Sequence, residues 1–442
     1  MGFMCGTSLD GVDGSIIVVE NGTIRLASFL ESPFPEPLRK DLKRWMEGME
    51  ATGSPSRHLP DIADILASME ESVAGQLLRD AGLSSSDLDV IGTHGITVRH
   101  HPRTHRLDFL ASLPTSRGVS YQASQPFPLA RSFGTPVVTQ FRGADVAQEG
   151  HGAPLAPIFH RALFAGERSR AFLNIGGIAN ITGLPPSGTT LPVIAFDTGP
   201  GNMLMDLAIS LVSEGTLPFD RDGRFARRGR PDPGLLDWLL SDSFFSLPPP
   251  KSTGREEWGE ERLRQILAWM THQTAPPRRG SAPSSLRLSP EEGDNLLATL
   301  SELTAAGVER SLPWLASPPE EIIVGGGGMR NPDLMARIAR RTGLPVVSSQ
   351  EKGYPPQAIE SMAFAYIALL TLSGRPGNIP EVTGALSPTV LGQITPPPRR
   401  TRPSPSSRDR TARRYPSSVP RSTQKERVKL ARTLPPSPRR RR

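Results

Sequence analysis

The sequence predicts an α/β protein of two halves closing on a cleft. Apolar runs of strand length are repeatedly followed by glycine-rich or polar turns, and the pattern that opens the chain begins again near residue 171. Four of these turns are glycine-rich: Met4-Cys-Gly-Thr-Ser-Leu-Asp-Gly-Val-Asp13, Asn174-Ile-Gly-Gly-Ile-Ala-Asn180, Asp197-Thr-Gly-Pro-Gly-Asn202 and Val324-Gly-Gly-Gly-Gly-Met-Arg-Asn331. One such turn marks only a tight bend. Four together predict a nucleotide-phosphate enzyme, because glycine removes the Cβ that keeps a phosphate from the main chain, and successive N–H groups then form an anion-binding concavity.

A short strand leads into the first turn, residues 15–19 form the next strand, and Asn21-Gly22 turns the chain into 23–28, as in a meander of hairpins. The first turn therefore lies within a hairpin. That argues against a dinucleotide fingerprint or a Walker loop, which both require strand, loop and helix. Ile62, Ile65, Leu66, Met69, Val73, Leu77 and Leu78 recur at helical spacing and Gly82 stops the run, predicting a core-facing helix over 61–81. Strands near 90–91 and 136–141 lead to Gly92-Thr-His-Gly95 and Arg142-Gly-Ala-Asp145, and strand ends of this kind form sites in α/β sheets. The second set comprises strands at 171–175 and 193–196, a helix from about Met203, helices near 258–271 and 291–313, a strand at 321–324 and a last helix near 358–373. Domain I is expected over 1–137 with a return over about 358–390, and domain II over 138–357. Residues 274–290, rich in Pro, Arg and Ser, are expected to be an exposed insertion.

The 442 residues allow two or three domains. The single cysteine, Cys5, excludes an intrachain disulfide and a multi-cysteine zinc site, and fits a reducing cytoplasm. The longest apolar run, 362–372, is interrupted by Tyr366 and Thr371, and no basic-then-apolar leader opens the chain, so neither export nor a membrane span is expected. From Leu391 onward there are 16 Lys/Arg and 2 Asp/Glu, so the net charge of +7 conceals a mildly acidic remainder. Residues 396–442, mostly Pro, Ser and Arg, lack the apolar surface that would offset ordering entropy and are expected to be a disordered tail. Nucleic acid is not an expected partner except through this tail, where Tyr415 is the only aromatic residue available for stacking.

Phosphoryl transfer from a nucleotide to a hydroxyl compound needs phosphate donors, an acid for Mg²⁺ and a base. Thr7, Ser8 and the amides of Gly6 and Gly11 are candidates for the phosphates, and Asp10 and Asp13 for Mg²⁺, directly or through water. For Asp13, turn capping is an equal alternative. Asp197 ends an apolar strand beside a helix start, which suits a base, whereas Asn202 is better placed to cap that helix. His94 either bonds substrate or orders its loop, while His100 and His101 are expected as solvated turn residues. No His/Asp/Glu cluster has structural-metal spacing.

In this order the motifs resemble those of the 1,6-anhydro-N-acetylmuramic acid kinases, members of the actin-like (ribonuclease H-like) sugar kinase and heat-shock 70 ATPase superfamily. The similarity covers about residues 1–395. It rests on Gly6-Thr-Ser-Leu-Asp-Gly-Val-Asp13, Gly92-Thr-His-Gly95, Phe141-Arg142 with Asp145, Gly152-Ala-Pro-Leu155, Asn174-Ile-Gly-Gly177 and Phe196-Asp-Thr-Gly-Pro-Gly-Asn202. It continues through Asp220-Arg-Asp-Gly223, Pro250-Lys-Ser-Thr-Gly-Arg-Glu256, Gly325-Gly-Gly with Arg330-Asn331, Glu360-Ser-Met-Ala-Phe-Ala365 and Asn378-Ile-Pro380 with Thr383-Gly-Ala385. The resemblance implies that water opens the anhydro bridge of the sugar while O6 receives the γ-phosphate of ATP, giving N-acetylmuramic acid 6-phosphate in cell-wall recycling. Asp197 matches the carboxylate that takes a proton from the water attacking C1. ATP is expected against Gly6, Thr7, Ser8, Leu9, Asp10, Gly11, Val12, Asp13, Gly176, Gly177, Gly325, Gly326, Gly327 and Asn331, with Asp10 toward Mg²⁺. The sugar is expected against His94, Thr97, Arg142, Asp145, Asn202 and Glu360, with Arg142 suited to the lactyl carboxylate.

The chain departs from the family pattern on the sugar side. Cys5 stands where Ser is usual, Ile96 where Gln is, Gln140 where Asp is and His151 where Gln is, while residues 122–126 read Gln-Ala-Ser-Gln-Pro. Two other readings therefore stand beside the kinase: an actin-like ATP-binding protein without turnover, and a kinase for a related amino sugar. A homodimer is compatible with each.

Overall fold

Short apolar strands joined by tight turns build two sheets of the same topology. They belong to a computed structural model that describes residues 1–6, 9–52, 58–103, 105–106, 115–116, 118–274 and 288–398. Thr7 and Ser8, most of the expected insertion, and the tail from 399 lie outside the described residues. The chain divides into two units: Met1–Ala144 with Ser361–Gly377 and Thr389 onward, and Asp145–Glu360 with Asn378–Pro388.

In the first unit β1 (Gly2–Met4), β2 (Gly11–Glu20) and β3 (Thr23–Pro33) form an antiparallel meander in which Met4 lies opposite Asp13. Asn21 and Gly22 both take positive φ, the geometry of a two-residue hairpin turn. β4 (Ile91–Thr93) adds to β1 in parallel and β9 (Val137–Thr139) to β4 in parallel, and β15 (Gln393–Thr395) closes the edge antiparallel. Parallel neighbours need long crossovers, and the helix Leu59–Ala81 supplies the first. It buries Ile62, Leu66, Val73 and Leu77 and ends at Gly82 in the left-handed region. Ile65, expected on the buried stripe, is 40% exposed, because it lies at the stripe's edge. Outside the main sheet, β5 (Ile96–His101) pairs with β8 (Val119–Ala123), and β6 (His105–Arg106) with β7 (Thr115–Ser116). His100 and His101 are therefore strand rather than turn residues, and His100 Nδ1 lies 3.0 Å from Ser120 Oγ.

The second unit repeats the plan. β10 (Arg170–Ile175), β11 (Ile178–Leu184) and β12 (Ile194–Pro200) form the meander, and β13 (Glu321–Gly325) and β14 (Val346–Ser348) add to β10 in parallel, giving the order β12-β11-β10-β13-β14. The helix Pro290–Ser311 starts from a Ser289/Glu292 capping box and buries Leu296, Leu297, Leu300 and Leu303 in the core. β12 runs three residues beyond Asp197, so Asp197 lies inside the strand, opposite Asn180, rather than at its end. Gly199, at φ 127°, lets the extended chain pass through a conformation closed to other residues. Among the described residues, no helix is long and apolar enough to cross a membrane.

Candidate active site

In the first unit the β1–β2 turn is closed by Leu9 N–H donating to the Gly6 carbonyl at 3.1 Å, with Leu9 at φ 55°. The Leu9 and Val12 side chains are buried, so only their backbones are available to a ligand. A Cβ on Gly11 would lie 2.3 Å from the Ser32 carbonyl, so the neighbouring strand β3 by itself requires glycine there. Asp10 is exposed and its Oδ1 accepts from Arg39 Nη2 at 2.8 Å, while Asp13 is half-buried in β2.

His94 follows β4 and is buried against Phe364, with ring centroids 4.5 Å apart. Arg142 Nε donates to His94 Nε2 at 2.9 Å, leaving Nδ1 as the N–H that donates to the Gly95 carbonyl at 2.9 Å. Burial, then the adjacent Arg142 charge, holds this imidazole well below its ordinary pKa, so it is a neutral acceptor that orients the guanidinium. Thr97 pairs with Gln122 across β5 and β8. Gln140, at φ 54°, clamps that same Gln122 backbone, donating from Nε2 to its carbonyl at 2.7 Å and accepting its N–H at 3.2 Å.

In the second unit the glycine turns lock onto one another. The N–H groups of Gly201, Asn202 and Met203 donate to the Gly177, Gly176 and Gly177 carbonyls at 2.9, 2.8 and 3.1 Å. Asn202 precedes the helix Met203–Val212, but its side chain makes no capping bond, because this helix start is satisfied by the facing turn. Several glycines answer to packing: a Cβ on Gly201 would lie 2.3 Å from the Gly176 carbonyl, on Gly325 2.6 Å from Phe172 and on Gly328 2.3 Å from Ile175. Gly326 needs positive φ, at 78°. Gly327 faces open space, which leaves its backbone approachable, whereas Gly176 is engaged on both sides, its N–H donating to the Ile178 carbonyl at 3.2 Å and its carbonyl accepting the Asn202 N–H. Asn331 accepts the Leu334 N–H at 3.1 Å and caps the helix Pro332–Thr342.

Asp197 is the most distinctive group. Its N–H donates to the Lys251 carbonyl at 3.2 Å, and its Oδ2 accepts the Thr253 N–H at 2.9 Å. Burial pushes its carboxyl up to about 6, against the opposing effects of the Thr253 N–H and the Lys251 charge. Asp206, in the first turn of the following helix, is pushed up to about 7 by burial. Asp145 is fully buried and its carboxylate is filled from within the unit: Oδ2 accepts the Gly152 N–H, and Oδ1 accepts Asn378 Nδ2 and Thr383 Oγ1, each at 2.7 Å. It fastens loops together, because Asn378 and Thr383, more than two hundred residues away, fold onto it beside the nearby Gly152 N–H. Glu360 is exposed in the first turn of the helix Ala358–Leu372. Single-residue reading missed the roles of Lys251 and Thr253; the signal was their motif at 250–256.

A twice-repeated meander with parallel strands added and glycine turns at the strand ends is the arrangement expected of an actin-like kinase. A family model described as anhydro-N-acetylmuramic acid kinase matches residues 1–397. The anhydro-N-acetylmuramic acid kinase of Xanthomonas axonopodis pv. citri (strain 306) is 38% identical over 401 residues, covering 90% of this chain and 97% of that one. That of Variovorax paradoxus (strain S110) is 39% identical over 401 residues, covering 90% and 98%. Among solved structures, a ROK family glucokinase from Streptomyces griseus in complex with glucose and AMPPNP aligns at 12% identity and a TM-score of 0.33, covering 83% of this chain and 98% of that one. The chain belongs to the anhydro-N-acetylmuramic acid kinase family, an ATP-dependent kinase family.

Proposed function

We propose that this chain opens the 1,6-anhydro ring of anhydro-N-acetylmuramic acid and phosphorylates O6, with Asp197 as the base. Water adds to C1 and gives its proton to Asp197, the C1–O6 bond breaks, and O6 attacks the γ-phosphorus of ATP as ADP leaves. The observation that carries this reading is the geometry of Asp197. Thr253 holds Oδ2, and Oδ1 has no hydrogen-bond partner among the described residues, which leaves it to accept a proton. With a pKa of about 6, the carboxylate is ionised for about nine-tenths of molecules at pH 7 yet stays basic enough to act.

In the second unit the main chain of Gly327, where a Cβ would meet nothing, is approachable by an ATP phosphate, and in the first unit the Gly6–Asp13 motif is assigned to ATP as the family resemblance implies. No group of three His, Cys, Asp or Glu side chains that could hold a metal occurs among the described residues. Mg²⁺ is assigned to the ATP phosphates with one carboxylate, Asp10, directly or through water. When bound, Mg²⁺ supplies charge neutralisation on the transferring phosphoryl group. Arg142, oriented by His94, is assigned to the lactyl carboxylate, with Thr97 and Glu360 also on the sugar. The reaction is placed in the cytoplasm, where ATP is supplied.

The test is ADP release with Mg-ATP, with and without anhydro-N-acetylmuramic acid, beside Asp197→Asn. Sugar-dependent release that the substitution abolishes supports the reading. ATP binding without sugar-dependent release rejects it. A kinase for a related amino sugar is the second reading, favoured by Gln140, whose amide is engaged by the Gln122 backbone. A panel of amino sugars in the same assay separates the two.

A further inference from the structure

β12 is the edge strand of its sheet, and on its open side the Lys251 carbonyl accepts the Asp197 N–H at 3.2 Å while the Thr253 N–H donates to Asp197 Oδ2 at 2.9 Å. Thr253 therefore sets which way the carboxylate turns. The residue carrying that N–H is held through its own side chain, for Thr253 Oγ1 donates to Glu257 Oε2, four residues on. Glu257 is a fixed post, although it is exposed. Its N–H donates to the Gly254 carbonyl at 3.2 Å, its carbonyl accepts from Arg262 Nε at 3.2 Å, and the next residue, Trp258, is fully buried against Phe244 and Phe245. Arg262 is held in turn, its guanidinium carbon 4.7 Å from the Trp258 ring centre and its Nη2 bonded to Asp242.

Resting on the reading of Asp197 as base, we infer that Glu257 is a positioning residue for ring opening: by fixing Thr253 it keeps the N–H on Asp197 Oδ2 and so leaves Oδ1 for the attacking water. A carboxylate otherwise turns easily about its last side-chain bond, a broad and nearly two-fold torsion, and exchanges its two oxygens. One bond to one oxygen removes that equivalence. At a helix start, a glutamate at the third helical position ordinarily reaches back to the N–H of the cap residue. Gly254 holds the cap position of the short helix Arg255–Trp258 and has no side chain to answer it. The Glu257 carboxylate takes instead the hydroxyl of the residue before the cap, which is the residue that touches Asp197. A purely structural cap would affect this helix and leave the chemical step alone.

The experiment is steady-state ADP release with Mg-ATP and anhydro-N-acetylmuramic acid, measured well below each Tm for the full chain, Glu257→Ala, Glu257→Gln, Thr253→Val, Thr253→Ser, the double variant Glu257→Ala with Thr253→Val, and Asp197→Asn. Glu257→Ala and Thr253→Val should each lower kcat by about tenfold with KM for both substrates within about twofold, because a misaimed base fails in the step and not in binding. The double variant should lose no more than about tenfold, since both changes cut the same tie. Glu257→Gln keeps an acceptor and Thr253→Ser keeps the hydroxyl, so both should hold kcat within about twofold. An unchanged kcat in Glu257→Ala, losses that multiply in the double variant, a loss confined to KM, or failure of both conservative variants overturns the inference while Asp197→Asn stays inactive. If the unaltered chain shows no sugar-dependent release, or Asp197→Asn retains it, the base assignment falls, and the inference with it.

Discussion

Replacing Asp197 by Asn should stabilise this protein while disabling it. Burial raises the folded carboxyl from 3.8 to about 6, so the fold tolerates the neutral form better than the charged one. This stabilising contribution is complete below about pH 4 and is lost as pH rises through about 6. The difference corresponds to about 3 kcal/mol against the ionised form at neutral pH. Asparagine keeps an acceptor for the Thr253 N–H without the charge. Asp197→Asn should therefore gain on the order of 1–3 kcal/mol at pH 7.5, read as a rise of a few degrees in Tm. The gain should shrink to under about 1 kcal/mol near pH 4 and vanish below about pH 3, where wild-type Asp197 is neutral in both states. Activity should fall by about 10²–10⁴ or more, because a neutral amide cannot take the proton from water. Thermal melts across pH, paired with ADP release on the same samples, measure both. A variant less stable than wild type at pH 7.5, or one retaining activity within about tenfold, would refute the account of a destabilised, functional carboxylate.

Arg142→Lys should raise KM for the sugar by about tenfold or more with a smaller change in kcat, because an ammonium cannot both engage His94 Nε2 and present a planar fork to a carboxylate; steady-state kinetics read the split. Asp145→Asn should lower stability by about 1–3 kcal/mol in denaturant unfolding, since its amide would face one of three donors, while KM for both substrates stays near wild type. Gly328→Ala should destabilise by about 1–3 kcal/mol through the Ile175 contact, whereas Gly327→Ala should leave Tm nearly unchanged and raise KM for ATP. Opposite outcomes for this glycine pair would show that packing and ligand glycines have been interchanged.

The amino-acid sequence by itself determined the repeated α/β plan. Strand-length apolar runs, the Asn21-Gly22 hairpin and the helix stopped by Gly82 are local patterns, written in neighbours a few residues apart. Asp197 stood out as a carboxylate among glycines beside a helix, although its strand continues past it. Tertiary structure alone decided what each polar atom faces. Fifty-six residues separate Asp197 from the Thr253 N–H that orients it, and more than two hundred separate Asp145 from Asn378 and Thr383, which occupy its carboxylate. Tertiary structure also divided the glycines into those excluded from a Cβ by a neighbouring strand, such as Gly11 and Gly201, and Gly327, which opens on free space. The physical reason is one of range. Periodicity and turn chemistry act over a few bonds of chain, whereas hydrogen bonding and burial depend on atoms that only the completed fold brings within 3 Å of one another.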